Sequence, residues 1–199
     1  MSYNTTAWTT DGQTQTTGGA TLYAHFGIGS GDAVWLGASA DTHYAVPFTN
    51  TTSTLTALVS MGSSTSSSFN DTNPATSLTI ANTAHHVSIM YWYVMDNITI
   101  DAVKWLHAGD AATGDSTAAH LMAYTVDTAN GSTGGDLSSG TVVADGGTIT
   151  NAGYEQIYYQ SMTIQSADVD AGKVSLFTFA SDTVNSDFSI NATVKYHIR

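Results

Sequence analysis

The chain has 199 residues and a net charge of −12, with only four Lys and Arg against sixteen Asp and Glu. This shortage of cations excludes nucleic-acid binding, which needs clustered Lys and Arg, and it argues against docking on anionic lipid. Hydrophobic residues make up 42%, which excludes a wholly disordered chain, and the length suits one β-sandwich domain, a class that reaches ~200–250 residues.

The first nineteen residues predict an extended arm, because they are polar, rich in Thr and end at Gly18-Gly19. We expect residues 20–199 to form a single domain. Apolar runs separated by Gly, Ser, Asn and Asp then predict strands. These runs are Ala20–Phe26, Ala33–Leu36, His43–Phe48, Ser53–Ser60, His85–Met95, Asn97–His107, Ala118–Val126, Thr141–Ala144, Tyr154–Ile164, Lys173–Phe179 and Phe188–Ile198.

The run His85–Met95 is apolar on both faces, which is typical of a strand between two layers or of one covered by a partner subunit. We therefore take Met90, Trp92 and Val94, together with Trp105, as candidates for a subunit interface. In the next run the apolar positions change phase after Ala102, which predicts a β-bulge or a strand that crosses between sheets.

The last run, Phe188–Ile198, alternates apolar and polar residues without interruption, which a half-buried strand requires and a helix cannot use. With explicit turns such as Asp145-Gly146-Gly147 between runs, the pattern predicts an all-β protein. The expected fold is an antiparallel β-sandwich of about ten strands, jelly-roll-like, with an extended N-terminal arm.

Candidate metal ligands are few. The absence of Cys excludes disulfides and thiolate sites. His107 and His120 would approach each other if their strands formed a hairpin, but we interpret the histidines as ordinary strand or core residues. Calcium is an alternative at Asp110 with Asp115, or at Asp168 with Asp170, although neither pair has a regular calcium-loop spacing. We therefore expect no cofactor.

Catalytic motifs are also missing from the sequence. The single glutamate, Glu155, has no second carboxylate to form an acid–base pair, and there is no Gly-x-Ser-x-Gly elbow, so we expect a protein that is not an enzyme. The face most typical of carbohydrate binding carries Tyr154, Gln156, Tyr158 and Gln160, which share strand parity.

The C-terminal half, about residues 86–199, resembles small β-jelly-roll structural proteins of tailed bacteriophages, marine ones especially. The likeness lies in Asp170-Ala-Gly172-Lys-Val-Ser-Leu-Phe, the polar loop from Ser181 to Asn185 and the final alternating strand; the earlier step His43-Tyr-Ala-Val-Pro-Phe48 is similar too. The resemblance implies a virion surface component, such as a capsid decoration protein, a head fibre or a tail-fibre head, often trimeric.

These observations give two functional hypotheses. The first is a capsid decoration (cement) protein, a homotrimer that contacts the major capsid protein or other virion proteins and binds neither nucleic acid nor membrane. The alternative is a carbohydrate-binding head of a receptor-binding tail fibre. In both cases we expect a protein made in the host cytoplasm without a signal peptide and located on the virion surface, since residues 1–6 lack a basic start and an apolar stretch.

Overall fold

A computed structural model describes residues 20–28, 42–48, 74–77, 90–109, 112–126, 137–183 and 188–199. These parts of the chain contain eleven strands and no helix. The strands are β1 (Leu22–Ile28), β2 (Tyr44–Val46), β3 (Trp92–Tyr93), β4 (Ile98–Gly109), β5 (Ser116–Val126), β6 (Leu137–Thr150), β7 (Gln156–Ser161), β8 (Thr163–Ile164), β9 (Asp168–Val169), β10 (Lys173–Ser181) and β11 (Phe188–Ile198).

The strands form two antiparallel sheets, which confirms the predicted β-sandwich. Sheet A has the order β1-β11-β4-β7, with β9 also paired to β4, and sheet B has the order β2-β10-β5-β6-β8, with β3 paired to β10. The chain repeatedly leaves one sheet for the other, as between β4 and β5, β6 and β7, and β10 and β11. This crossing places the first and last strands side by side in one sheet, as in a jelly roll.

The main core lies between the two sheets and is rich in aromatic rings. Phe179 contacts Phe188 edge to face, with ring centroids 4.9 Å apart, and Trp105 contacts Phe179 in the same way at 5.7 Å. Phe26 and Phe177 also lie in this cluster and are fully buried. The alternation of β11 places Phe188, Ile190, Ala192 and Val194 in the core, as the sequence predicts.

A second, smaller cluster covers the outer face of sheet B. It contains Met90, Met122, Tyr124, Val174 and Leu176, all buried. The Tyr124 hydroxyl donates to the Ala75 carbonyl at 2.9 Å, so part of the chain outside the sheets closes over this face. Strands β5 and β10 are consequently buried on both sides.

The predicted phase change in β4 is a β-bulge. Ala102 pairs with Lys195 and Ile100 pairs with Tyr196, so Asp101 is an extra residue without a counterpart. The predicted turn at Asp145-Gly146-Gly147 is wrong, because these residues lie within β6, where they form a β-bulge opposite β5. Gly146 lies under the Trp105 ring, and a Cβ at this position would be 2.9 Å from the indole Nε1.

Other boundaries differ in part from the sequence prediction. The run Tyr154–Ile164 is divided into β7 and β8 by the buried Met162, and the two-residue strand β9 was not predicted. The arm of residues 1–19, the predicted strands Ala33–Leu36 and Ser53–Ser60, and the first five residues of His85–Met95 lie outside the described residues.

Candidate interaction surface

The four residues predicted for a subunit interface belong to the interior of a single chain. Met90, Trp92, Val94 and Trp105 are between 0% and 8% exposed. The Trp92 ring stacks on Phe48 with centroids 6.1 Å apart and contacts Tyr196 at 5.0 Å. Trp92, Val94 and Trp105 pack in the main core and Met90 packs in the smaller cluster, whereas Tyr93, on the other side of β3 from Trp92, is 58% exposed.

The predicted carbohydrate-binding face is also wrong in its orientation. The Tyr158 ring turns toward the interior and stacks on His107, with centroids 5.2 Å apart, and its hydroxyl accepts the backbone N–H of Ala152 at 2.6 Å. Gln160 lies on the same half-buried side, whereas Gln156 is exposed at the start of the strand. Tyr154 is exposed but belongs to the turn before β7, so these four residues do not form one flat face.

The opposite side of β7 contributes to the outer face of sheet A, which we call the open face. It spans the four strands β1, β11, β4 and β7. Residues in register across these strands form rows of outward-pointing side chains. The open face consists of Tyr23, His25, Lys104, Leu106, Ile157, Tyr159, Ser161, Asn191, Thr193 and Lys195.

The open face has an apolar part at its β7 edge. Leu106 pairs with Tyr159 in register, and Ile157 is the next outward residue along β7. Of the eight large hydrophobic side chains that are exposed among the described residues, four lie on the open face: Tyr23, Leu106, Ile157 and Tyr159. This concentration distinguishes the open face from the scattered apolar residues that any protein surface carries.

The centre of the open face is cationic. Lys104 and Lys195 are two of only four Lys and Arg in the whole chain. Lys104 lies opposite Thr193, and Lys195 is two residues further along β11, so the two lysines are diagonal neighbours about 7–8 Å apart at the backbone. His25 completes this group, and its Nδ1 lies 3.2 Å from the Thr193 hydroxyl.

Lys104 also interacts with the neighbouring aromatic ring. Its Nζ lies 5.7 Å from the centroid of the Tyr159 ring. A side-chain hydrogen bond with Tyr159 raises the pKa of Lys104, and the same bond lowers the pKa of Tyr159. The ammonium therefore remains charged throughout the physiological range and stays beside an exposed aromatic surface.

Acidic side chains are absent from the described part of this face and begin at its margin. Asp101, at the bulge in β4, is 2.9 Å from Nδ1 of His197. The Arg199 guanidinium binds Asp168 at 3.2 Å and Asp170 at 2.8 Å. One of the two carboxylate pairs considered for calcium, Asp168 with Asp170, is thus already paired with a cation of the chain itself.

One end of the sandwich, which we call the acidic end, has the opposite charge. It carries Asp115, Glu155 and Asp182, and Glu155 is exposed in a turn with φ of 55°. The backbone N–H of Ala112 donates to Asp115 at 2.8 Å, and that of Ser116 donates to Asp182 at 2.7 Å. Asp110, the other predicted calcium ligand, lies outside the described residues.

The condition under which His107 and His120 would approach each other is not met. Strands β4 and β5 lie in different sheets, so His107 and His120 are not partners in a hairpin. His120 instead contacts His43, with ring centroids 4.9 Å apart, and the Thr178 hydroxyl is 3.2 Å from Nδ1 of His43.

His107 stands apart in an aromatic environment. It lies between the rings of Trp105, at 4.7 Å, and Tyr158. Its Nε2 is 3.2 Å from the Thr117 hydroxyl. Burial lowers the pKa of His107 to about 4, because the charged imidazolium would lose its hydration there; the polar side chain of Asn151 opposes this effect on the pKa only in part.

No family model matches the chain, and a search of curated proteins finds no match. Within the described residues, no group of three or more His, Asp or Glu side chains is arranged to hold a metal ion. The same residues include no helix of the length and apolarity needed to cross a membrane.

Proposed function

We propose that the protein is a non-enzymatic structural protein of a virion, a decoration protein that binds to the outside of a bacteriophage capsid. The open face carries this proposal. Sheet B has its outer face covered by the chain itself, whereas sheet A presents a surface of exposed apolar and cationic side chains. The resemblance of residues 86–199 to phage structural proteins agrees with this assignment.

Cementing a shell requires buried area at many equivalent positions. A stable protein interface buries about 800 Å² on each partner, with an apolar centre and a polar rim. Leu106, Ile157 and Tyr159 are suited to the centre of such a contact, and Lys104 and Lys195 are suited to its rim. Repetition over a shell adds avidity, so each single contact can be weak. The homotrimer and the contact with the major capsid protein remain part of this proposal.

Rebinding of the recombinant protein to capsids that lack it tests the proposal. We expect the wild-type protein to bind and to raise the temperature at which the capsids release their DNA. Leu106→Asp introduces a charge into the apolar part of the open face and should abolish rebinding. Met95→Ser is the matched control, since Met95 is 79% exposed and lies outside the face. Wild-type protein that does not bind, or Leu106→Asp that binds equally well, would contradict the proposal.

A carbohydrate-binding head of a tail fibre is the second candidate, and the exposed ring of Tyr159 beside Lys104 favours it. Tyr rings stack on sugars, and an ammonium can pair with an acidic sugar. On this hypothesis Tyr159→Ala should eliminate binding to a glycan array, while Tyr154→Ala, which removes an equally exposed ring from the preceding turn, should leave it unchanged. Equal effects of the two substitutions, or no binding by the wild-type protein, would exclude this function.

A further inference from the structure

We propose that the open face of one copy binds the acidic end of a second copy, so that the chains associate head to tail. The inference rests on the proposed function and names a second partner for the same face, so we expect association between copies to compete with binding to the capsid. The observation behind this inference is the distribution of charge over the described residues. The cations of the open face and the carboxylates of the acidic end lie on different parts of the same molecule.

The open face is cationic, although the chain as a whole is strongly anionic. With a net charge of −12, a chain of this kind presents a mainly anionic surface to its own copies. Lys104 and Lys195 are neighbours on one face, and the nearest described acid, Asp101, is already bound to His197. An interface brings opposite potentials together, so the complement of this face is an anionic surface.

Repulsion between lysines excludes pairing of the open face with itself. A twofold axis through the face would bring the lysines of one copy close to those of the other. Like charges in an interface cost several kcal/mol, and no acid within the described part of the face is available to offset them. The contact is therefore between two different surfaces.

The acidic end has the negative charge that the open face requires of a partner. Asp115 and Asp182 each accept a backbone N–H, which fixes their carboxylates in position without neutralising the charge. Glu155 is exposed on the turn that leads into β7, and this turn begins at Asn151, whose backbone N–H donates to the Asp115 carbonyl at 2.7 Å. Among the described residues this end has no Lys or Arg, so its three carboxylates are available to a cationic partner.

Association between copies of like net charge is possible because salt screens long-range repulsion. At physiological ionic strength the Debye length is about 8 Å, so the overall charge of each copy is largely screened while contacting pairs are not. A contact between two different surfaces repeats from copy to copy, and it produces a closed ring if the rotation closes or an open filament if it does not.

Sedimentation velocity of the full chain over a concentration series, at physiological salt, measures this association directly. The monomer has a mass of 20.8 kDa. We expect wild-type protein to form larger species and Lys104→Glu to weaken their formation by about tenfold or more, as expected when an attractive charge pair becomes repulsive. Lys173→Glu makes the same change in net charge away from the open face, at a side chain that bonds Thr125, and should weaken association less than about threefold.

Mixing two deficient variants gives a second, independent readout. Lys104→Gln/Lys195→Gln retains the acidic end, and Glu155→Gln/Asp182→Asn retains the open face; the Asn side-chain oxygen can still accept the Ser116 N–H. Neither variant should associate alone. An equimolar mixture should form a dimer of about twice 20.8 kDa and nothing larger, because only one complementary contact remains. Circular dichroism of each variant confirms that it is folded.

Three results would overturn the proposal. The first is wild-type protein that remains monomeric at all concentrations. The second is association that Lys104→Glu and Lys173→Glu affect equally, and the third is a mixture of the two deficient variants that stays monomeric. A monomer whose open face instead binds an acidic polysaccharide would assign the face to that ligand. Since the measurement uses no capsids, its failure is distinguishable from failure of the rebinding test.

Discussion

The buried His107 predicts that the protein loses stability in mild acid by an amount that can be calculated. Its side chain is 1% exposed and lies among uncharged groups, namely aromatic rings, Thr117 and Asn151. Burial lowers its pKa from 6.5 to about 4. As the pH falls, the unfolded chain therefore binds a proton before the folded chain does, and the folded state becomes less stable.

The pH window follows from these two pKa values. The contribution of His107 is fully present above pH 6.5, is lost progressively as the pH falls toward 4, and changes no further below that. One pKa unit corresponds to about 1.4 kcal/mol, so His107 alone should lower the free energy of unfolding by about 2 kcal/mol between neutral pH and about pH 5. By about pH 4 the loss should reach about 3 kcal/mol.

Urea denaturation of wild type and His107→Gln, each at neutral pH and at about pH 5, measures this contribution. The substitution removes ring stacking and lowers stability at both pH values, so the informative quantity is the change with pH. We expect the free energy of unfolding to fall by about 2 kcal/mol more in the wild type than in His107→Gln. Every other ionisable group is present in both proteins, so its contribution cancels from this difference. Equal pH dependence in the two proteins would refute the reasoning.

Three further predictions concern packing and surface charge. Gly146→Ala should lower the free energy of unfolding by about 1–3 kcal/mol in urea denaturation, because the added Cβ would lie 2.9 Å from a backbone oxygen and 2.9 Å from the indole nitrogen of Trp105. Gly153→Ala is the control and should not change stability, because its Cβ would have no neighbour closer than 3.9 Å. Trp92→Ser should cost about 3–5 kcal/mol without changing the oligomeric state, since this ring belongs to the core; dissociation of a stable oligomer would show otherwise. Arg199→Ala should lower stability by less than about 1 kcal/mol, and the difference from wild type should vanish in high salt, since its two ion pairs are partly exposed; a larger loss that persists in salt would contradict this.

The sequence predicts the sheets well where one face is buried and the other is in water. Strand β11 has the predicted bounds, Phe188–Ile198, because its alternation fits only a half-buried strand. The bulge at Asp101 can be predicted from the sequence, because one extra residue shifts the apolar positions of β4 from one parity to the other.

The sequence could not show which candidate interaction residues lie inside the chain, because two physical arrangements give the same sequence pattern. A strand that is apolar on both faces can be covered by a partner or by its own chain, and only the fold shows that the smaller cluster around Met90 covers sheet B. Strand β7 is polar and aromatic on both faces, so parity alone could not show that Tyr158 turns inward while Tyr159 faces outward. The cationic group of the open face joins Lys104 and Lys195 from distant parts of the chain.

The proposed decoration function is tested most directly by immunogold electron microscopy of phage particles from the source of the chain, with antibody against the recombinant protein. A decoration protein predicts gold distributed over the whole capsid surface. Gold confined to the tail would contradict decoration and favour the carbohydrate-binding head, for which the exposed Tyr159 is the first residue to change. Particles without label would contradict a virion role altogether.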